Sequence, residues 1–196
     1  MLHDCADALT SFLYRRCALP PERRAVYRYG FELTLSTTAS MVSIVIVSFL
    51  LGSPLSSLLF LLFFITLRLF AGGYHAETYR SCFLTTNGTF LAVFLLSSGL
   101  ARFRQPALFL VLLLLSGAVV WALAPIRNKH HPLSEKTYQK NKKVARSLTL
   151  AATVLISAVF WCSGSLLFLS VSVTSVMAVA ILMIIPKLNE GRKEHD

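Results

Sequence analysis

The sequence predicts an all-α, polytopic membrane protein with six transmembrane helices and an N-terminal amphipathic helix at the membrane surface. Its 196 residues are 55% hydrophobic and only 14% charged, whereas soluble domains carry roughly 25% charged residues. Six apolar runs approach the roughly 20 residues that a helix needs to cross a bilayer. The formal net charge of +10 is concentrated between those runs. We therefore expect a single integral membrane domain over 1–196.

Residues 1–32 form an N-terminal segment that we expect at the membrane interface. Apolar side chains recur at helical spacing over 2–18, Arg15 and Arg16 follow them, and Pro20 and Pro21 are placed to end the helix. That pattern is typical of a helix that lies in the plane of the interface. The segment lacks the apolar core and cleavage site of a signal peptide, so none is expected.

Six predicted spans follow in order along the chain. They cover 33–51, 55–70, 83–101, 106–124, 147–163 and 166–186. Gly52, Ser53 and Pro54 predict a tight turn between the first and second spans, and a Cys-Ser-Gly-Ser sequence at 162–165 predicts another between the fifth and sixth. The second run is short and ends at Arg68, so a re-entrant segment is the alternative for it.

The positions of the basic residues predict the orientation in the cell membrane. Of the 19 Lys and Arg, all but Arg102 and Arg104 lie in the N-terminal segment, the 68–82 loop, the 125–146 loop or the C-terminal tail. The positive-inside rule then places both termini and both loops on the cytoplasmic side. The basic 125–146 loop is expected to contact anionic lipids, and recognition of an acidic partner is the second interpretation. No nucleic-acid-binding motif accompanies the charge, so nucleic acid is not an expected partner.

The 68–82 stretch combines an Arg, paired glycines, a His, a Glu and a Cys within fifteen residues. Cys82 is a candidate nucleophile and His75 a candidate base for thiol chemistry, and Ser81 is an alternative nucleophile. In a straight helix, residues seven positions apart share a face but are separated by about 10.5 Å, too far for a hydrogen bond. We therefore predict that the helix breaks at Gly72 and Gly73, so that His75 folds back towards Cys82.

Structural interpretations of the same residues are simpler. A histidine near the interface is often a polar anchor, and a cysteine in an apolar setting is usually an inert small hydrophobe. Glycines in membrane helices often serve close packing, and Arg68 can extend its charge to the headgroups. The four cysteines and the pair His130 and His131 follow no metal-binding pattern. No metal and no organic cofactor are expected.

The 68–82 stretch resembles the central signature of the AgrB family, the accessory gene regulator proteins that process quorum-sensing peptide precursors. The match consists of Cys82 and the preceding run Arg68-Leu69-Phe70-Ala71-Gly72-Gly73-Tyr74-His75-Ala76. Weaker matches are Tyr29-Gly30-Phe31-Glu32 before the first span, and Ala124-Pro125 with Pro132-Leu133 in the basic loop. The chain length and the six apolar runs agree with this resemblance.

The resemblance implies a membrane-embedded cysteine endopeptidase that acts on an AgrD-like precursor with an amphipathic leader, a central Cys and an acidic tail. Cys82 would be the nucleophile and His75 the general base, which together remove the tail and cyclise the core to a thiolactone. Arg68, Gly72 and Gly73 would be supporting positions. Arg68 and Arg80 are the nearest cations and could stabilise a thiolate or bind a carboxylate, and Glu77 could orient His75. The sequence leaves the monomer and the homodimer open.

Two other functions fit the same features. A small transporter or peptide exporter would use the six spans as a pathway and His75 and Glu77 to handle protons. Such a protein has no need for Cys82 as a thiolate. A scaffold held at anionic lipids by its basic loop would be indifferent to replacement of either His75 or Cys82.

Overall fold

The computed structural model describes residues 2–17, 20–72, 78–126 and 134–193, and in these ranges every regular element is helical. The N-terminal helix is Leu2–Arg16, and a short 3-10 turn, Pro21–Arg23, precedes the first span. The six spans, numbered here in chain order, are Arg24–Leu50, Pro54–Ala71, Tyr79–Ala101, Pro106–Leu123, Glu135–Ser163 and Leu166–Lys193.

All six helices are long and apolar enough to cross a membrane, which confirms the predicted fold class. The second span is the shortest at 18 residues together with the fourth, and it rises about 27 Å, close to the roughly 30 Å of a hydrocarbon core. It is not a uniform α-helix, because Leu61–Ile65 is a π-helical turn between two α-helical halves. The first span starts at Arg24, nine residues before the start of the 33–51 span predicted from the sequence.

Two loop boundaries from the sequence analysis are wrong. Span 3 starts at Tyr79, so the 68–82 loop ends earlier and Cys82 lies within the first helical turn. Span 5 starts at Glu135, so more than half of the 125–146 loop is helix. Polar caps explain both differences: the hydroxyl of Thr78 accepts from the Ser81 amide at 3.2 Å, and that of Ser134 accepts from the Thr137 amide at 3.3 Å. Capped polar turns extend a helix beyond its apolar run.

Span 6 is the central helix of the bundle. It packs against spans 2, 3, 4 and 5, and each residue from Leu169 to Val176 is buried. Half of these residues are Ser or Thr, whose small side chains let neighbouring helices approach closely. Close packing matters in a bilayer because the hydrophobic effect does not drive helices together there. Spans 2 and 3 are joined by an aromatic cluster in which Phe60 stacks on Phe64 at 4.5 Å and meets Phe90 edge-on at 5.3 Å.

The N-terminal helix packs along the first span, as its amphipathic pattern predicts. Ala6 and Thr10 are fully buried in this contact, while Leu9 and Phe12 are exposed. The exposed apolar side chains are those that a helix on the membrane surface would present to lipid. The N-terminal helix thus reaches the end of the bundle where spans 1 and 3 begin and span 2 ends.

Candidate active site

The predicted helix break at the end of span 2 is confirmed. The helix ends at Ala71, and Gly72 adopts φ +73° and ψ −149°, a combination that is essentially restricted to glycine. The Ile126 amide donates to the Ala71 carbonyl at 3.1 Å, and a Cβ on Gly72 would lie 3.3 Å from the Ile126 carbonyl oxygen. The backbone angles therefore favour glycine, and a Cβ at this position would crowd the segment at Ile126. The 68–82 and 125–146 regions begin side by side.

Cys82 occupies the first turn of span 3, where its amide donates to the Thr78 carbonyl at 2.9 Å. Its thiol is free and half-buried, whereas Cys5, Cys17 and Cys162 are exposed. The first turn of a helix favours negative charge because of its unpaired amides and its dipole. This position therefore suits a group that must become an anion during a reaction.

Arg68 lies in the last turn of span 2, at the same end of the bundle as Cys82. Its half-buried guanidinium lies 5.4 Å from the centre of the Phe64 ring and interacts electrostatically with Cys82. Arg80 is exposed, and two residues of helix turn its side chain about 200° away from that of Cys82. Of the two predicted cations, Arg68 is the one that interacts electrostatically with Cys82.

Three of the predicted site residues, Gly73, His75 and Glu77, lie outside the described residues, as do His130 and His131. The approach of His75 to Cys82 therefore stays a prediction. Within the described ranges, no three His, Cys, Asp or Glu side chains cluster in a way that could hold a metal ion.

Glu32 is a functional candidate to which the sequence analysis assigned no role. Only 8% of its surface is exposed. The Tyr79 hydroxyl donates to its Oε2 at 2.8 Å, and His3 and Arg28 contact its Oε1. Glu32 thereby links the N-terminal helix and span 1 to the first residue of span 3, three positions before Cys82. In the sequence, the signal for this role was a carboxylate at the start of a long apolar run. The sequence did not indicate its partner, because Tyr79 lies 47 residues away.

A cavity of about 810 Å³ opens next to this link, between the N-terminal helix, span 1 and span 3. Its lining residues are His3, Glu32, Ser36, Ala39, Thr78, Tyr79, Arg80, Phe83 and Leu84. Cys82 does not line the cavity, although lining residues flank it on both sides. The cavity and the thiol thus lie on different faces of the same helical turn.

Comparison with known proteins agrees with the resemblance noted in the sequence. The family model "Accessory gene regulator B" matches residues 6–185. An AgrB-like protein of Clostridium perfringens strain SM101 is 25% identical over 172 residues, which cover 81% of this chain and 78% of that protein. A second AgrB-like protein, from strain 13, is 26% identical over 142 residues, which cover 69% of this chain and 64% of that protein. No solved structure matches the chain.

Proposed function

This multi-pass membrane protein belongs to the accessory gene regulator B family and takes part in processing of the regulator peptide; we propose that it does so as a cysteine endopeptidase. Its substrate is an AgrD-like precursor whose acidic tail is removed and whose core is cyclised. The observation that carries this proposal is the free, half-buried thiol of Cys82 in the first turn of span 3. A transporter or a scaffold has no use for a cysteine placed this way.

The surroundings of Cys82 favour its anionic form at the moment of attack. The start of span 3 contributes the positive end of the helix dipole, and the guanidinium of Arg68 contributes a full charge. Arg68 and Cys82 are both half-buried, so both charges are partly shielded from bulk water. Charges held in a desolvated site stabilise a developing anion more strongly than charges in water do.

The proposed reaction has two acyl-transfer steps. His75 takes the proton of Cys82, and the thiolate attacks the carbonyl carbon at the junction between core and tail. The C–N bond breaks, His75 returns the proton to the leaving amine, and the core remains as a thioester on Cys82. The thiolate of the precursor's own Cys then attacks that thioester. A new C–S bond closes the ring, the bond to Cys82 breaks, and Cys82 recovers a proton. No water, oxidant or reductant is consumed.

Burial of the site supports transfer rather than hydrolysis. The second step succeeds only if the precursor's thiol reaches the thioester before water does, and a half-buried thiol excludes water better than an exposed one. We also place the site on the cytoplasmic side with both termini, following the distribution of basic residues. The net charge of +10 would then attract the acidic tail of the precursor.

The test uses purified protein in liposomes with synthetic precursor peptides that have an amphipathic leader, a central Cys and an acidic tail. Mass spectrometry measures tail release and the cyclic core. We expect Cys82→Ala to abolish both products and His75→Ala to lower the rate by about 10²–10⁴-fold. The matched control is Cys162→Ala, an exposed cysteine at the opposite end of the bundle, which should retain native activity.

Two results would overturn the proposal. One is equal product formation by the native chain and Cys82→Ala. The other is movement of unprocessed peptide across the liposome by all four proteins alike, which would make transport the function. A thioester adduct trapped on Cys82 would identify the nucleophile directly.

A further inference from the structure

The cavity beside Glu32 lies at the end of the bundle that holds Cys82. Its volume of about 810 Å³ falls in the range of about 300–1,000 Å³ that is usual for ligand sites. Its walls come from three elements that are distant in sequence: the N-terminal helix, span 1 and the first turns of span 3. A ligand held there would touch both the interfacial helix and the helix that carries the thiol.

The lining is apolar along one side and polar at one end. Ala39, Phe83 and Leu84 form the apolar side. Glu32 and the Tyr79 hydroxyl, already bonded to each other, lie at the polar end. Ser36 lines the cavity and is only 6% exposed, yet its hydroxyl makes no hydrogen bond to any residue in the described part of the chain. This hydroxyl is therefore available to a ligand, and the backbone of a peptide offers it both donors and acceptors.

We propose that this cavity binds an apolar segment of the precursor peptide, with Ser36 bonding its backbone and Arg80 pairing with its acidic residues. This inference rests on the proposed function, since it supplies that reaction with a substrate-binding site. The N-terminal helix is then a wall of the substrate site as well as a membrane anchor.

Charge and polarity distinguish a peptide from a lipid acyl chain as the occupant. An acyl chain requires no hydrogen-bonding group, whereas Ser36 and the Glu32–Tyr79 pair bring polar atoms to one end of the cavity. The carboxylate of Glu32 is already contacted by His3 and paired with Arg28. Arg80 is exposed on the rim and complements an acidic peptide.

The position of the cavity also fits a peptide on its way to Cys82. Tyr79 and Phe83 line the cavity and flank Cys82 within one turn of span 3. A peptide held against these side chains needs only to pass around the start of the helix, at the capping residue Thr78, to reach the thiol. The cavity thus holds part of the substrate without enclosing the reacting bond.

The experiment fills the cavity and compares the result with an equally bulky change outside it. Ala39→Trp places an indole in the cavity, and Val42→Trp places one on the same helix at an exposed position that does not line it. For a precursor peptide that the native chain cleaves, we expect Ala39→Trp to raise KM about tenfold or more and Val42→Trp to leave KM unchanged. Arg80→Gln should raise KM and reduce its dependence on salt.

A binding assay keeps this inference separate from the proposed function. The probe is the same peptide carrying a photoreactive phenylalanine at an apolar position, presented to Cys82→Ala protein in nanodiscs. Cross-links on Ala39, Phe83 or Leu84 that disappear in Ala39→Trp support the inference even if cleavage is never observed. Cross-links elsewhere, or equal KM values for Ala39→Trp and Val42→Trp in a chain whose cleavage depends on Cys82, overturn it. A photoreactive fatty acid that labels Ala39 while the peptide does not would assign the cavity to lipid.

Discussion

The two ends of the six-helix bundle are built differently. At one end, the turns between spans are short and exposed, and Arg102 and Arg104 form no ion pair with any residue that the structure describes. At the other end, polar groups join separate elements: the Tyr79 hydroxyl donates to Glu32, and the Ile126 amide donates to the Ala71 carbonyl. Polar groups that are costly at membrane depth are retained where they cross-link elements around the thiol, which is the distribution expected of a functional end.

The largest difference between the ends should appear when their arginines are replaced. We expect Arg68→Gln to lower tail release about a hundredfold, because it removes the charge that interacts with Cys82. Arg102→Gln, at the opposite end, should be without effect. The alkylation rate of Cys82 by iodoacetamide at neutral pH should fall with Arg68→Gln and recover in part with Arg68→Lys, which keeps the charge. Equal alkylation rates in the native chain and Arg68→Gln would show that Arg68 is only structural.

Two glycines sharpen the comparison because both have positive φ, +73° at Gly72 and +69° at Gly52. A Cβ on Gly52 would meet nothing within 4 Å, but one on Gly72 would press on the Ile126 carbonyl. Gly52→Ala should therefore cost only the backbone strain of about 1–2 kcal/mol. Gly72→Ala should cost more and also slow tail release about tenfold, since it moves the chain that leads to His75. Thermal unfolding in detergent and the peptide assay measure the two effects. Similar losses in both variants would contradict the assigned contact.

How far the sequence predicted this molecule depended on whether a feature was local. Span number followed from apolar run length, and the break at Gly72 followed from glycine chemistry next to a turn. The starts of spans 3 and 5 were missed because Thr78 and Ser134 cap helices whose first turns are polar. The Glu32–Tyr79 bond and the contact of Gly72 with Ile126 join residues 47 and 54 positions apart. Such contacts depend on how the spans pack, which periodicity does not encode.

The smallest of the expected effects distinguishes a bond that supports catalysis from one that only supports the fold. Tyr79→Phe removes the hydroxyl that donates to Glu32, and Ser56→Ala removes a buried hydroxyl that lies 2.7 Å from Ser53 Oγ at the opposite end. Each should lower the free energy of unfolding by about 1 kcal/mol, the usual worth of one hydrogen bond. Only Tyr79→Phe should also slow tail release, by a few fold, because Tyr79 begins the helical turn that holds Cys82.

Combining Tyr79→Phe with Glu32→Gln should add little further loss of activity, since both changes break the same bond. If the two losses of activity are instead additive, Glu32 acts on the site independently of Tyr79. The bond between span 1 and span 3 would then not explain why Glu32 is buried.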